Sequence, residues 1–261
     1  MSHILESYRN GRVQWLCLNR PDVLNAFNSD LLNELRVAFQ QATADPQVRV
    51  VVLTGNGRAF SAGGDLKFVL SELNGDGGDG PDGVATSVDT FAAVRNCHKP
   101  VIAAVNGAAI AGGFEVLLFC DVIFAADSAR FGDGHAKYGL LPGGGGAAVL
   151  PRRVGLNRAK SLLFSGDSLP AATLRDWGMV CEVVPDDQLR ATVAEYATKL
   201  AEHSPLVLSA MKEVANAAMH NDQATALRHE MLVLRNHMSS HDFREGLTSF
   251  NEKRRPTFEG R

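Results

Sequence analysis

Cysteine is scarce in this chain: four in 261 residues, at Cys17, Cys97, Cys120 and Cys181, all far apart. No CxxC pair or zinc-ligand spacing occurs, which excludes a dithiol redox centre and a structural zinc site. The thiols read as buried and reduced, three of them in apolar strand or helix contexts. Long apolar runs are also lacking. None approaches the ~18 residues of a membrane-spanning helix, and the opening MSHILESYRNGRVQWL has no signal-peptide pattern. A cytoplasmic protein without membrane contact is expected. Neither sign of charge dominates: 26 Lys and Arg face 29 Asp and Glu for a net charge of −3, and the basic residues are spread along the chain. That argues against a nucleic-acid partner. GxxxxGK[ST], GxSxG and HExxH are all absent.

With 45% hydrophobic and 21% charged residues, the chain can bury a full core as one domain, or as one domain with an appendage. Residues 4–8 and 13–18 flank Asn10-Gly11 and read as a hairpin. Asn28 or Ser29 can cap a helix to about Ala44, with Leu31, Leu32, Leu35, Ala38 and Phe39 on one face. Residues 48–54 (VRVVVLT) form a nearly continuous β-branched run, the pattern of a strand buried on both faces. Residues 66–73 can begin a helix. Residues 74–83 (NGDGGDGPDG) have almost nothing to bury and read as a loop bordering a pocket. Helix over 88–96, strand over 101–105, helix over 112–120 and strand over 122–126 make an α/β fold with parallel sheet. After 181–184 the pattern is helical to the end. The expectation is an α/β core over residues 1–200 and a helical region over 201–261, which needs a surface to cover.

The most informative stretch is residues 103–121, AAVNGAAIAGGFEVLLFCD. An apolar strand ends at Asn106-Gly107, small residues follow, and Gly112-Gly113 open an apolar helix with Glu115 in its first turn. Unpaired N–H groups at such a helix start can hold a developing oxyanion. A carboxylate one turn away suggests proton chemistry beside a carbonyl. Other glycine-rich stretches carry less. Residues 75–80 match GxGxxG and 143–148 its GxGxxA variant, but neither has the strand–turn–helix context of a dinucleotide site. Asp76, Asp79 and Asp82 lack calcium-loop spacing. His237 and His241, at i and i+4, read as an exposed helix end rather than a metal pair. No metal is expected.

Several ordered motifs resemble the enoyl-CoA hydratase/isomerase (crotonase) family, through nearly the whole chain. Residues 20–26 (RPDVLNA) are similar to the family's RPxxxNA opening and 59–67 (AFSAGGDLK) to its AFxAGxDLK loop. Residues 100–121 are similar to PVIAAVNGxAxGGGxELxxxCD, and residues 245–258 (EGLTSFNEKRRPTF) to the C-terminal EGxxAFxEKRxPxF. The resemblance implies a spiral of ββα units with a helical C-terminal trimerisation region, assembled as a trimer or a dimer of trimers. It implies an acyl-CoA substrate, with coenzyme A entering as part of that substrate and no separate cofactor.

Residue by residue, the resemblance places Gly64 and Gly112 at the two oxyanion-hole donors and Glu115 at the first catalytic glutamate. Ala62, Gly63, Asp65, Leu66 and Lys67 border the coenzyme A entrance, and Phe250 and Lys253 can reach toward its nucleotide. The family's second glutamate, in FGxPE, is replaced: the segment reads Phe131-Gly132-Asp133-Gly134-His135. His135 can serve as the second acid/base or merely wall the pocket, and Asp133 can orient it or share its task. The expected activity is hydration of an α,β-unsaturated acyl-CoA. The alternatives are another reaction of the family, isomerisation or thioester hydrolysis, and a non-catalytic acyl-CoA-binding protein.

Overall fold

The computed structural model describes residues 3–74 and 83–261. In chain order the strands are β1 (Leu5–Asn10), β2 (Val13–Leu18), β3 (Val50–Gly55), β4 (Ala59–Ser61), β5 (Val101–Val105), β6 (Ala108–Ile110), β7 (Val122–Ala126), β8 (Arg130–Gly132), β9 (Ser168–Pro170) and β10 (Glu182–Val184). The expected hairpin is β1 and β2, paired antiparallel from Leu5–Leu18 to Asn10–Val13. It begins a six-stranded sheet in the order β1-β2-β3-β5-β7-β10, parallel from β2 onward. Every residue of β3 and β5 is buried. That explains their unalternating apolar sequences, because both faces of a central parallel strand are covered.

A second, four-stranded sheet, β4-β6-β8-β9, was not expected from the residue pattern. Each of its strands has three residues, too short for a period-2 signal. Strand β5 therefore does not lead straight into the Gly112 helix, because β6 intervenes. The chain passes from a long strand in one sheet to a short strand in the other and then to a helix, and repeats this. The result is an α/β spiral of ββα turns.

The helix Ser29–Ala44 is capped by Asn28, whose side chain accepts from the Leu31 amide, and it buries Leu31, Leu32, Leu35, Phe39 and Ala42. At about 1.5–3 kcal/mol per buried leucine or phenylalanine, that face alone anchors the helix. The helix expected over 112–120 ends earlier, at Leu117. Of the cysteines, Cys17, Cys97 and Cys120 are buried, whereas Cys181 is exposed. Residues 75–82 of the glycine- and aspartate-rich segment, with Asp76, Asp79 and Asp82, lie outside the described residues.

Past β10 the described chain is helical: Leu189–Ala201, Pro205–Ala218, Gln223–His237 and His241–Asn251. The first packs across the large sheet and buries Leu189, Val193, Ala197 and Ala201. The next two bury no residue. His237 and His241 sit on successive helices rather than on one. No described helix is long and apolar enough to cross a membrane.

One buried residue organises the N-terminal side of the cavity described below. Asn25 is fully buried, with a left-handed φ of 55°. Its Oδ1 accepts from the Arg20 amide at 2.8 Å, and its Nδ2 donates to the carbonyls of Asn56 and Ala59 at 2.9 and 2.8 Å. The Ser61 hydroxyl donates to the Asn25 carbonyl at 2.9 Å. Asn25→Ala would take the side-chain partner from three backbone groups, of which the Ala59 carbonyl keeps Asn106 Nδ2 at 3.2 Å, and put alanine in a conformation it disfavours. It is expected to cost at least about 3 kcal/mol, read from urea unfolding. An unchanged midpoint would mean that this turn is held by other contacts.

Candidate active site

A cavity of about 380 Å³ opens between the two sheets' connections and the helices Leu66–Leu73 and Gly83–Asn96. Gly64, Gly112, Glu115 and His135 all line it, with Ala62, Leu66 and Ala111. Much of the remaining wall is apolar, including Phe27, Leu32, Val69 and Phe91. Phe27 and Phe91 meet edge to face, with ring centroids 6.2 Å apart.

The backbone aims two N–H groups into this space. Phe27 donates to the Gly63 carbonyl at 2.7 Å and accepts from the Asp65 amide at 2.9 Å. In an extended segment bonded through its flanking residues, the N–H of Gly64 must point the other way, away from Phe27. A side chain on Gly64 would meet nothing within 4 Å. On the facing segment Ala111 has φ 49° and ψ −124°, a strained conformation for a residue with a Cβ. It turns the chain so that Gly112 starts the helix Gly112–Leu117 with its N–H outward. Neither N–H has an acceptor among the described residues. The two segments touch: a Cβ on Gly112 would stand 3.7 Å from the Gly64 nitrogen. Gly63, at φ 92°, allows that approach, since a Cβ there would lie 2.8 Å from the Ile110 carbonyl. Arg20 holds the loop from outside through an ion pair with Asp65 at 3.2 Å. Asp65 and Gly63 therefore shape the loop. Lys67 is exposed on the first turn of the helix that follows.

Glu115 is 3% exposed. Its Oε1 accepts from the amides of Gly144 and Gly146 at 2.8 and 2.9 Å. Its Oε2 has no hydrogen-bond partner among the described residues and is left for the cavity. Burial pushes the Glu115 carboxyl above its ordinary pKa. The Gly146 amide, the charge of His135 and the Gly144 amide pull it back part of the way, and Asp133 adds to the rise. Residues 143–148 thus open the helix Gly146–Val154, and two of their amides, those of Gly144 and Gly146, go to a carboxylate. The sequence reading missed this role. Its available signal was a glycine run just before a helix, where N–H groups lack internal partners.

His135 follows β8, and its side chain is 14% exposed. Its Nδ1 is 3.0 Å from Asp133 Oδ1, and its backbone amide donates to the same oxygen at 3.3 Å. Burial lowers the imidazole pKa, but the hydrogen bond and charge of Asp133, with the charge of Glu115, outweigh it. The ring therefore titrates above its ordinary value. Phe250, at the far C-terminal end, is 82% exposed and lies outside this cavity. Among the described residues no three His, Cys, Asp or Glu side chains form a group suited to a metal.

Two backbone donors thus face a buried carboxylate across an apolar cavity in an α/β fold, a geometry suited to holding an oxyanion beside a proton-transfer group. The family model for enoyl-CoA hydratase/isomerase matches residues 9–261, and the chain belongs to that family. It is 37% identical over 265 residues to 2,3-dehydroadipyl-CoA hydratase of Escherichia coli K12, covering all of both chains. It is 38% identical over 267 residues to 1,2-epoxyphenylacetyl-CoA isomerase of the same organism, again covering all of both. Its fold is similar to the crystal structure of an enoyl-CoA hydratase from Bacillus anthracis, with TM-score 0.92 and 33% identity over 99% of this chain and 100% of the other.

Proposed function

We propose that the protein is an enoyl-CoA hydratase, adding water across the α,β-double bond of an acyl-CoA thioester. The observation that carries this reading is the convergence of the Gly64 and Gly112 N–H groups with the free Oε2 of Glu115 on one apolar cavity. The two N–H groups polarise the thioester carbonyl and hold the enolate oxygen. Glu115 takes a proton from water as the water oxygen bonds to Cβ, and the double-bond pair moves into the enolate. The Nε2–H of His135 then delivers a proton to Cα. After product release the proton on Glu115 leaves through solvent, and His135 is reprotonated. Coenzyme A arrives with the substrate, past Ala62, Gly63, Asp65, Leu66 and Lys67, so the chemistry needs no separate cofactor or metal. The expected setting is the cytoplasm.

The helices Pro205–Ala218 and Gln223–His237, with the residue that ends each, expose Met211, Met219, Leu227, Leu232 and Met238, a large apolar surface for a monomer. We read residues 201–261 as the region that docks on other copies of the chain, giving a trimer or a dimer of trimers. Light scattering is expected to return three or six times 28.0 kDa. A monomer at working concentration would sink this assembly.

Turnover of crotonyl-CoA, followed as loss of the conjugated thioester absorbance, tests the reaction. A rate that rises through a Glu115 pKa above 4.5 and falls through a His135 pKa above 6.5 is expected, because both groups are shifted upward. His135→Ala should remove the basic limb and lower kcat more than it raises KM. His135→Glu should restore a pair of carboxylates and keep hydration. Binding of enoyl-CoA thioesters without turnover of any would favour the binding-protein alternative. Double-bond migration without hydration would favour an isomerase.

A further inference from the structure

We infer that Asp133 is a positioning residue, which fixes the His135 imidazole with Nδ1–H turned inward and Nε2 turned to the acyl cavity as the proton donor. The inference rests on the acyl-CoA reading above and assigns a direction to its second proton transfer.

The geometry is a two-point grip. Asp133 Oδ1 receives both the ring Nδ1 and the backbone amide of His135. Gly134, at φ 73°, makes the turn that lets residues two apart face each other in this way. An ionised carboxylate only accepts hydrogen bonds, so the proton on that ring edge sits on Nδ1. The opposite edge, Nε2, has no partner among the described residues, while His135 lines the cavity.

The environment of Asp133 points the same way. The residue is 1% exposed, and its Oδ2 is buried without a hydrogen-bond partner. Burial of a half-satisfied carboxylate opposes stability. Among the described residues its one side-chain partner is the imidazole. Asp133 and Glu115 also meet at one glycine: a Cβ on Gly146 would lie 2.8 Å from Asp133 Oδ2 and 3.2 Å from Glu115 Oε1. The imidazole thus shares its corner with two carboxylates, an arrangement that favours its cation.

Among the described residues no lysine or arginine stands against the ring. On its own turn Lys137 pairs with Asp167 at 3.0 Å. On the helix Leu156–Ser165, packed against that turn, Arg158 lies over the Trp177 ring. Lys160 of the same helix is exposed to solvent. A cation aimed by Nε2–H gives up one proton to Cα and remains a neutral Nδ1–H imidazole held by Asp133, so the step needs no further reactant.

The test uses full-length protein with ¹⁵N-labelled histidine and the variant Asp133→Asn. In the parent, His135 is expected to titrate above 6.5 and to keep its proton on Nδ1 when neutral. In Asp133→Asn the titration should fall by at least about one pH unit. The basic limb of the rate profile should move down with it, and kcat should drop by up to about 100-fold with KM little changed. A variant that keeps the parent's titration, tautomer and pH profile overturns the inference. If Asp133→Asn fails to fold, the parent spectrum still decides: a neutral ring protonated on Nε2, or a midpoint at or below 6.5, overturns it. These spectra do not depend on which thioester reacts. Failure to hydrate crotonyl-CoA would count against the hydratase reading and leave the Asp133 assignment to stand or fall on the spectra.

Discussion

Glu115→Gln is expected to lower the turnover number by roughly 100-fold or more, the scale of a positioned acid/base, while fold and thioester binding persist. The amide is nearly the same shape as the carboxyl. Its carbonyl oxygen can still accept from the Gly144 and Gly146 amides, which now hold Oε1 at 2.8 and 2.9 Å. Its NH₂ then takes the place of Oε2 at the cavity wall and cannot accept a proton from water. Burial already disfavours the charged form of this group, so the neutral amide removes a desolvation cost and unfolding should not come earlier. The check is a steady-state assay beside a binding titration and an unfolding curve. Turnover equal to the parent would remove Glu115 from the mechanism and strengthen the non-catalytic alternative.

Gly113→Ala should be nearly as damaging, by a different route. Gly113 has an ordinary helical backbone, so its importance is one of approach. A Cβ at this position would stand 2.4 Å from the Ser61 carbonyl oxygen and 2.7 Å from the Ser61 Cβ. The carbonyl belongs to β4 and cannot rotate away as a side-chain tip would. The Gly112–Leu117 helix must therefore move off the small sheet, at about 1–3 kcal/mol of overpacking. That movement separates the Gly112 N–H from the Gly64 loop and carries Glu115 with it. A displacement of about 1 Å in a catalytic array costs on the order of 100-fold in rate. Lower unfolding stability together with lower turnover is the expected pair of results. Full activity with normal stability would mean that the junction between helix and small sheet is looser than this packing implies.

The large sheet and the helices were legible because their signals are local and long enough to read. The all-apolar β3, the capped amphipathic helix from Ser29 and the helical final third each carry a period or composition that survives without context. The positions of Gly64, Gly112 and Glu115 were legible through ordered motifs at fixed separations. The small sheet was not, because three-residue strands lack a period. Pairing of β4, β6 and β8 joins residues about 20 to 50 apart in sequence, a proximity that no single stretch of the chain encodes. The grip on Glu115 was hidden for a related reason. Its donors are the backbone amides of Gly144 and Gly146, and an amide has no residue-type signature.

Asp133 and His135 were visible as a pair of candidate groups two residues apart, with their roles open. Burial decided their surroundings: the Asp133 side chain is 1% exposed and that of His135 14%. Sequence alone established the α/β class, the chain order of the long strands and helices, and the chemical groups available at the site. The tertiary structure decided which of those groups face one another, which oxygen of each carboxylate is free, and how far burial shifts their protons. Those properties depend on desolvation and on contacts between segments distant in sequence, and neither is a property of any one stretch of chain.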